Sequence, residues 1–174
     1  MKNIFLSSKF LIISSAIILA GLSRLIPHLP NFTPLAAMSL FGGALLNDKK
    51  LAFIIPIAAM ILSDAIIGFH QQMWGVYLSF VLIIMIGLRA GSNIKTSSMI
   101  GNSLVGSVVF FIITNFAVWL PGNFYPLSLS GLFECYVAAI PFFGNSILGD
   151  LFYNTVLFGG FFLIKQRIPA LVKA

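Results

Sequence analysis

Three of the four acids in this chain, Asp64, Glu134 and Asp150, stand in or beside strongly apolar stretches. An ionisable side chain placed there costs at least ~2.5 kcal/mol on insertion scales, so it faces a cavity or a partner. The fourth, Asp48, adjoins Lys49 and Lys50 and needs no such role. Helical spacing sets Ser146, Asp150, Tyr153 and Asn154 on one face, a polar stripe in an apolar segment. Asn115 and Trp119, four apart, share another face, and Asp64 is followed by His70 and Trp74. With Arg24, His28, Asn31 and Glu134 these residues form a candidate substrate-binding set, able to orient a small solute by charge and hydrogen bonds. Each has a structural alternative. Asp64 or Asp150 pairs with Arg24 or caps a broken helix, the Asn and Ser residues join helices, and the two tryptophans belong to an interfacial belt.

Other chemistries lack their residues. His28 and His70 fall in no HExxH or Cys/His pattern, so no metal site is expected. The single cysteine, Cys135, makes no intramolecular disulfide; it reads as a small packed residue or as a thiol able to ligate a soft metal centre in a solute. A phosphate loop, a nucleophile elbow and a paired metal motif are all missing from the sequence. No catalytic residue or cofactor is therefore expected, and any ATP-driven process would need another subunit.

The elements that position these residues follow from composition. Of 174 residues 59% are apolar and 8% charged, and mean hydropathy is +1.05. That describes a single all-α domain in a bilayer, since a helical span needs about 20 apolar residues. Six spans are expected, at about 10–26, 34–46, 51–68, 74–90, 99–120 and 145–164. The second is short, so it thins the bilayer or starts inside protein. The segment FECYVAAIPFF, between the fifth and last spans, is expected as a short helix at the outer interface, because it is too short and too Pro-interrupted to cross. A net charge of +6 would suggest nucleic acid in a soluble protein. Here it marks topology, with no nucleic-acid partner expected: Lys2, Lys9, Lys49, Lys50, Arg89, Lys95, Lys165, Arg167 and Lys173 gather at inner ends, Arg24 alone lies outside, and both termini are cytoplasmic. The first segment resembles a signal peptide without a small-x-small cleavage site and is read as an uncleaved span.

The strings PHLPNFTPLAAMSLFGGALL, ILSDAIIGFH, FFIITNFAVWL and GLFECYVAAIPFFGNSILGDLFYNTVLFG carry a resemblance over residues 24–160. They are similar to a bacterial family of small, uncharacterised membrane proteins described as transport proteins. More widely, the six-span layout resembles the substrate-binding S components of energy-coupling factor (ECF) transporters. That resemblance implies uptake of a vitamin or related micronutrient across the bacterial cytoplasmic membrane, through a pocket near the outer surface. It implies a lid in the loop 27–33, and an Ala-xxx-Ala pair on the first helix that docks on a coupling subunit served by ATPases. Ala16 and Ala20 match that pair. No ligand signature carries over: Cys135 and the histidines suit a cobalamin-like solute, the acids and tryptophans a cationic aromatic. The competing reading is a structural or assembly scaffold without transport; a lipid-modifying enzyme is weaker still, for want of a nucleophile and base.

Overall fold

A computed structural model of the chain describes residues 7–171. It is all-helical over that range: α1 (Ser8–Ser23), α2 (Leu35–Leu45), α3 (Lys49–Ile67), α4 (Met73–Ala90), α5 (Thr96–Trp119) and α6 (Leu129–Arg167), closed by a 3₁₀ turn at Pro169–Leu171. Side-chain caps start three of them. Ser7 accepts from the Phe10 N–H, Asp48 from Lys50 and Leu51, and Ser128 from Gly131. Gly68 and Gly91, both at positive φ, end α3 and α4.

Four helices, α3 to α6, are long and apolar enough to cross a membrane. The two shorter ones differ in kind. All 11 residues of α2 are buried, and an α-helix of that length rises only ~16 Å, about half the hydrocarbon thickness. A helix apolar on every side belongs inside a bundle, and α2 is the axle around which the others pack, with α4 its most extensive neighbour. The two backbones nearly touch where Gly43 meets Gly87: a methyl group at Gly87 would lie 2.5 Å from the Leu40 carbonyl oxygen and 2.9 Å from the Ala44 nitrogen. On the other side of α2, Phe41 meets Phe158 edge-on at 5.1 Å between centroids.

The expected short outer helix before the last span is corrected. Residues 129–144 run without interruption into the final segment, making α6 a helix of 39 residues and ~58 Å. Pro141 lies inside it. A proline removes one N–H bond and crowds the carbonyl four residues earlier, but in an apolar setting a full break would strip several backbone groups of partners at once, so the helix continues. Along its last half the buried stripe holds Ser146, Gly149, Asp150, Asn154, Leu157, Phe158 and Phe161. The opposite stripe exposes Leu148, Phe152, Val156 and Leu163, each more than half accessible. Polar groups face inward and apolar groups outward, the pattern that lipid surroundings call for.

Candidate functional site

The site lies at the end of the bundle where α1 and α3 finish and α2 and α4 begin. Arg24 follows the last residue of α1. Its Nη1 donates to Asp64 Oδ1 at 2.7 Å, to Ser63 Oγ at 2.5 Å and towards Met60 Sδ at 3.2 Å. All three partners sit on the last turns of α3, so the contact closes α1 on α3. From α4 the Tyr77 hydroxyl donates to Asp64 Oδ2 at 2.8 Å. Both carboxylate oxygens of Asp64 are therefore engaged, and its side chain is only 2% exposed. This ion pair is the only one among the described residues.

Asp150 is satisfied by other means. Its Oδ2 accepts from Ser107 Oγ of α5 at 2.6 Å, and the Ala37 backbone amide of α2 lies close to its carboxylate. Ala37 is the third residue of α2, and the residue at the helix start, Pro34, offers no side-chain cap. The amides of a first turn lack intrahelical partners and carry partial positive charge. The acid on α6 thus stands beside the first turn of α2, where the residue before the helix offers no side-chain cap. One turn deeper, Asn154 donates to Ser103 Oγ at 2.9 Å and to the Asp150 carbonyl at 2.8 Å, while its Oδ1 is buried without a hydrogen-bond partner.

Between these two acids runs the loop from α1 to α2, held down on α6. Asn145 donates to the Pro30 carbonyl at 3.0 Å. The Phe32 ring packs against Phe152 and Tyr153 at 5.7 and 5.9 Å. A Cβ on Gly149 would come 3.0 Å from the Thr33 nitrogen and 3.1 Å from the Phe32 Cα, so glycine lets the loop lie directly on the helix. Asn31 turns the loop with φ of 62°, a left-handed conformation that asparagine tolerates. Beneath the loop is a cleft of about 180 Å³ lined by Arg24, Asn31, Thr33, Asp64, His70 and Met73, among others. A smaller recess, sharing Asn31, Thr33, Leu35 and Phe110 with it, reaches Ser146 and Asp150.

The sequence-expected residues divide accordingly. Arg24, Asn31, Asp64 and His70 meet in the cleft, Asp150 lies in the adjoining recess, and Asn154 is buried below it. The others lie elsewhere. Asn115 lines a separate hollow of about 160 Å³ with Tyr125 and Cys135, and Trp119 donates to the Pro126 carbonyl at 2.9 Å. Glu134 is exposed, His28 is exposed with Nδ1 2.7 Å from the Ile26 carbonyl, and Trp74, 42% exposed, lines neither cavity. Ala20 is buried and Ala16 packs on the core, so this small pair is engaged within the chain. Among the described residues no three His, Cys, Asp or Glu side chains gather as a metal site would require. Sequence reasoning passed over Tyr77, Ser63 and Ser107. Of these only Ser107 carried a signal, as a serine four residues after Ser103 on an apolar helix.

The class defined by this architecture is an all-α bundle with four helices fit to cross a membrane and a polar cleft under one interhelical loop. More specifically, the chain belongs to the family of unknown function DUF6580, which it matches over residues 5–171. No curated protein and no solved structure matches it.

Proposed function

We propose that the chain is a membrane protein that captures a small solute from outside, in the cleft beneath the loop between α1 and α2, as the substrate-binding part of a micronutrient uptake system. One observation carries the reading: polar groups from α1, the following loop, α3 and the α3–α4 connection converge on a single cleft of about 180 Å³, while the outward faces of the helices are apolar. Pockets for small molecules are of this kind, concave and largely apolar with a few convergent polar groups. In this reading six helical segments form the bundle with both termini cytoplasmic, as the distribution of Lys and Arg supports. The cleft then opens to the outside, and the loop pinned on α6 acts as its lid.

Size narrows the solute. The cleft, about 180 Å³, is below the roughly 300 Å³ at which drug-sized pockets begin. A compact solute suits it, and a cobalamin-like macrocycle does not suit it with the loop in place. A cationic aromatic finds little to hold it either, because both tryptophans stand away from the cleft and Asp64 is already paired. Inward delivery by ATP would require subunits beyond this chain; an ECF-type coupling subunit with its ATPases is the partner that the resemblance supplies.

The test is purification in mild detergent from cells grown in rich medium, followed by mass spectrometry of the small molecules retained. A compound held stoichiometrically by the wild type, and lost when Thr33→Trp fills the cleft, is the expected result. A protein that retains nothing, and co-purifies instead with a stoichiometric envelope protein, would replace this reading with the scaffold.

A further inference from the structure

We infer that the solute held in this cleft is an organic acid, recognised through its carboxylate by the unoccupied edge of Arg24; the inference rests on the solute-binding reading above. Every hydrogen bond that Arg24 makes through its side chain runs through one nitrogen, Nη1. Its Nε and Nη2 have no hydrogen-bond partner among the described residues, and the side chain, 13% exposed, lines the cleft. Nε–H and Nη2–H are parallel donors along one edge of a planar fork, the edge that takes a carboxylate in two hydrogen bonds. A guanidinium is always charged, and these two donors are not among the atoms buried without a partner, so they are accessible to an acceptor in the cleft.

The rest of the wall agrees in sign. Asn31 and Thr33 have no side-chain hydrogen bond among the described residues, and both line the cleft. An amide and a hydroxyl there can donate to the lone pairs that a bidentate arginine leaves free on a carboxylate. The acids offer a cation little. Asp64 gives one oxygen to Arg24 and the other to Tyr77, and Asp150 is held by Ser107 and lines the recess, not the cleft. Asp64 is thus a positioning residue: it holds Nη1, and with it the plane of the guanidinium, so that the opposite edge stays presented.

The experiment uses sets of ligands that share a body and differ in one headgroup. Purified protein in detergent is melted with benzoate, benzamide and benzylammonium, and with the carboxylate, amide and amine forms of pyridine, butyl and hexyl bodies. The expected result is a rise in Tm with at least one carboxylate that its own amide and amine do not give. Arg24→Ala risks misfolding by stranding Asp64, so the variant used is the charge-balanced Arg24→Gln/Asp64→Asn. In it the carboxylate affinity falls roughly tenfold or more, as loss of a charged hydrogen-bond pair implies. Arg24→Lys, with its charge kept and its fork lost, falls between. Stabilisation by an amide or amine without preference for the acid overturns this inference and leaves the solute site standing. Stabilisation by no member of any set counts against both.

Discussion

The wall of the cleft and the wall of the recess that adjoins it each bury a carboxylate and hold it differently. On one, Asp64 meets a full opposite charge: Arg24 at 2.7 Å, with Tyr77 behind it at 2.8 Å. On the other, Asp150 meets only dipoles, the Ser107 hydroxyl at 2.6 Å and the first turn of α2. The first arrangement ties the ends of α1, α3 and α4 together and leaves Nε and Nη2 of Arg24, a residue lining the cleft, without a hydrogen-bond partner among the described residues. The second fastens α5 to α6 beside the first turn of α2 and leaves nothing ionic over. Equal burial of an acid therefore does not mean equal pairing: Asp64 is held by an ionic network beside the cleft, and Asp150 by dipoles beside the recess.

Removing one partner of a buried ion pair should give the largest effect in the molecule. Arg24→Ala strands Asp64 and is expected to cost about 3–5 kcal/mol, read from denaturant unfolding in detergent. Arg24→Ala/Asp64→Ala should recover a large part of that loss, since no charge then stays buried alone. A double variant as unstable as the single one would mean that Arg24 acts through packing and not through its pair.

Asp150→Ala comes next, at about 1.5–3 kcal/mol for hydrogen bonds to a charged acceptor, with Asp150→Asn milder because an amide oxygen can still accept from Ser107. If Asn proved as damaging as Ala, the charge itself and not the hydrogen bond from Ser107 would be what this position needs. Gly149→Leu should lift the loop from α6 at a cost of about 1–3 kcal/mol, the range for overpacking. Its sharper signature is faster hydrogen exchange at the Phe32 and Thr33 amides, with the Arg24–Asp64 wall unchanged. The smallest effect is expected of Ser107→Ala, about 0.5–1.5 kcal/mol, and it should be absent in an Asp150→Ala background when the two are measured as a double-mutant cycle.

Much of this contrast was legible before any coordinates. Hydropathy marked the helical segments, and an acid in an apolar run pointed to Asp64 and Asp150 as residues with partners. Of the structural alternatives, pairing with Arg24 holds for Asp64, while Asp150 caps no broken helix, since α6 runs on through Pro141. Three things stayed out of sight for physical reasons. Pro141 reads as a break because sequence shows the hydrogen bond it loses and not the several that a break would lose. Tyr77 stands 13 residues beyond Asp64, across a connection whose geometry no periodicity fixes. And helical spacing put Asn115 and Trp119 on one face without saying which cavity that face lines; it is the hollow beside Cys135, away from Arg24 for Asn115, and the loop at Pro126 for Trp119.

The central claim is that the cleft beside Arg24 opens outward and holds a solute, and chemical labelling at its mouth tests it most directly. His70 lines the cleft and is exposed, and the one native thiol, Cys135, is buried. In a His70→Cys, Cys135→Ser variant, a membrane-impermeant maleimide applied to intact cells with the outer barrier removed should modify position 70, and the co-purified solute should slow that modification. Labelling only after the cytoplasmic membrane is broken, or labelling indifferent to the solute, would contradict the account.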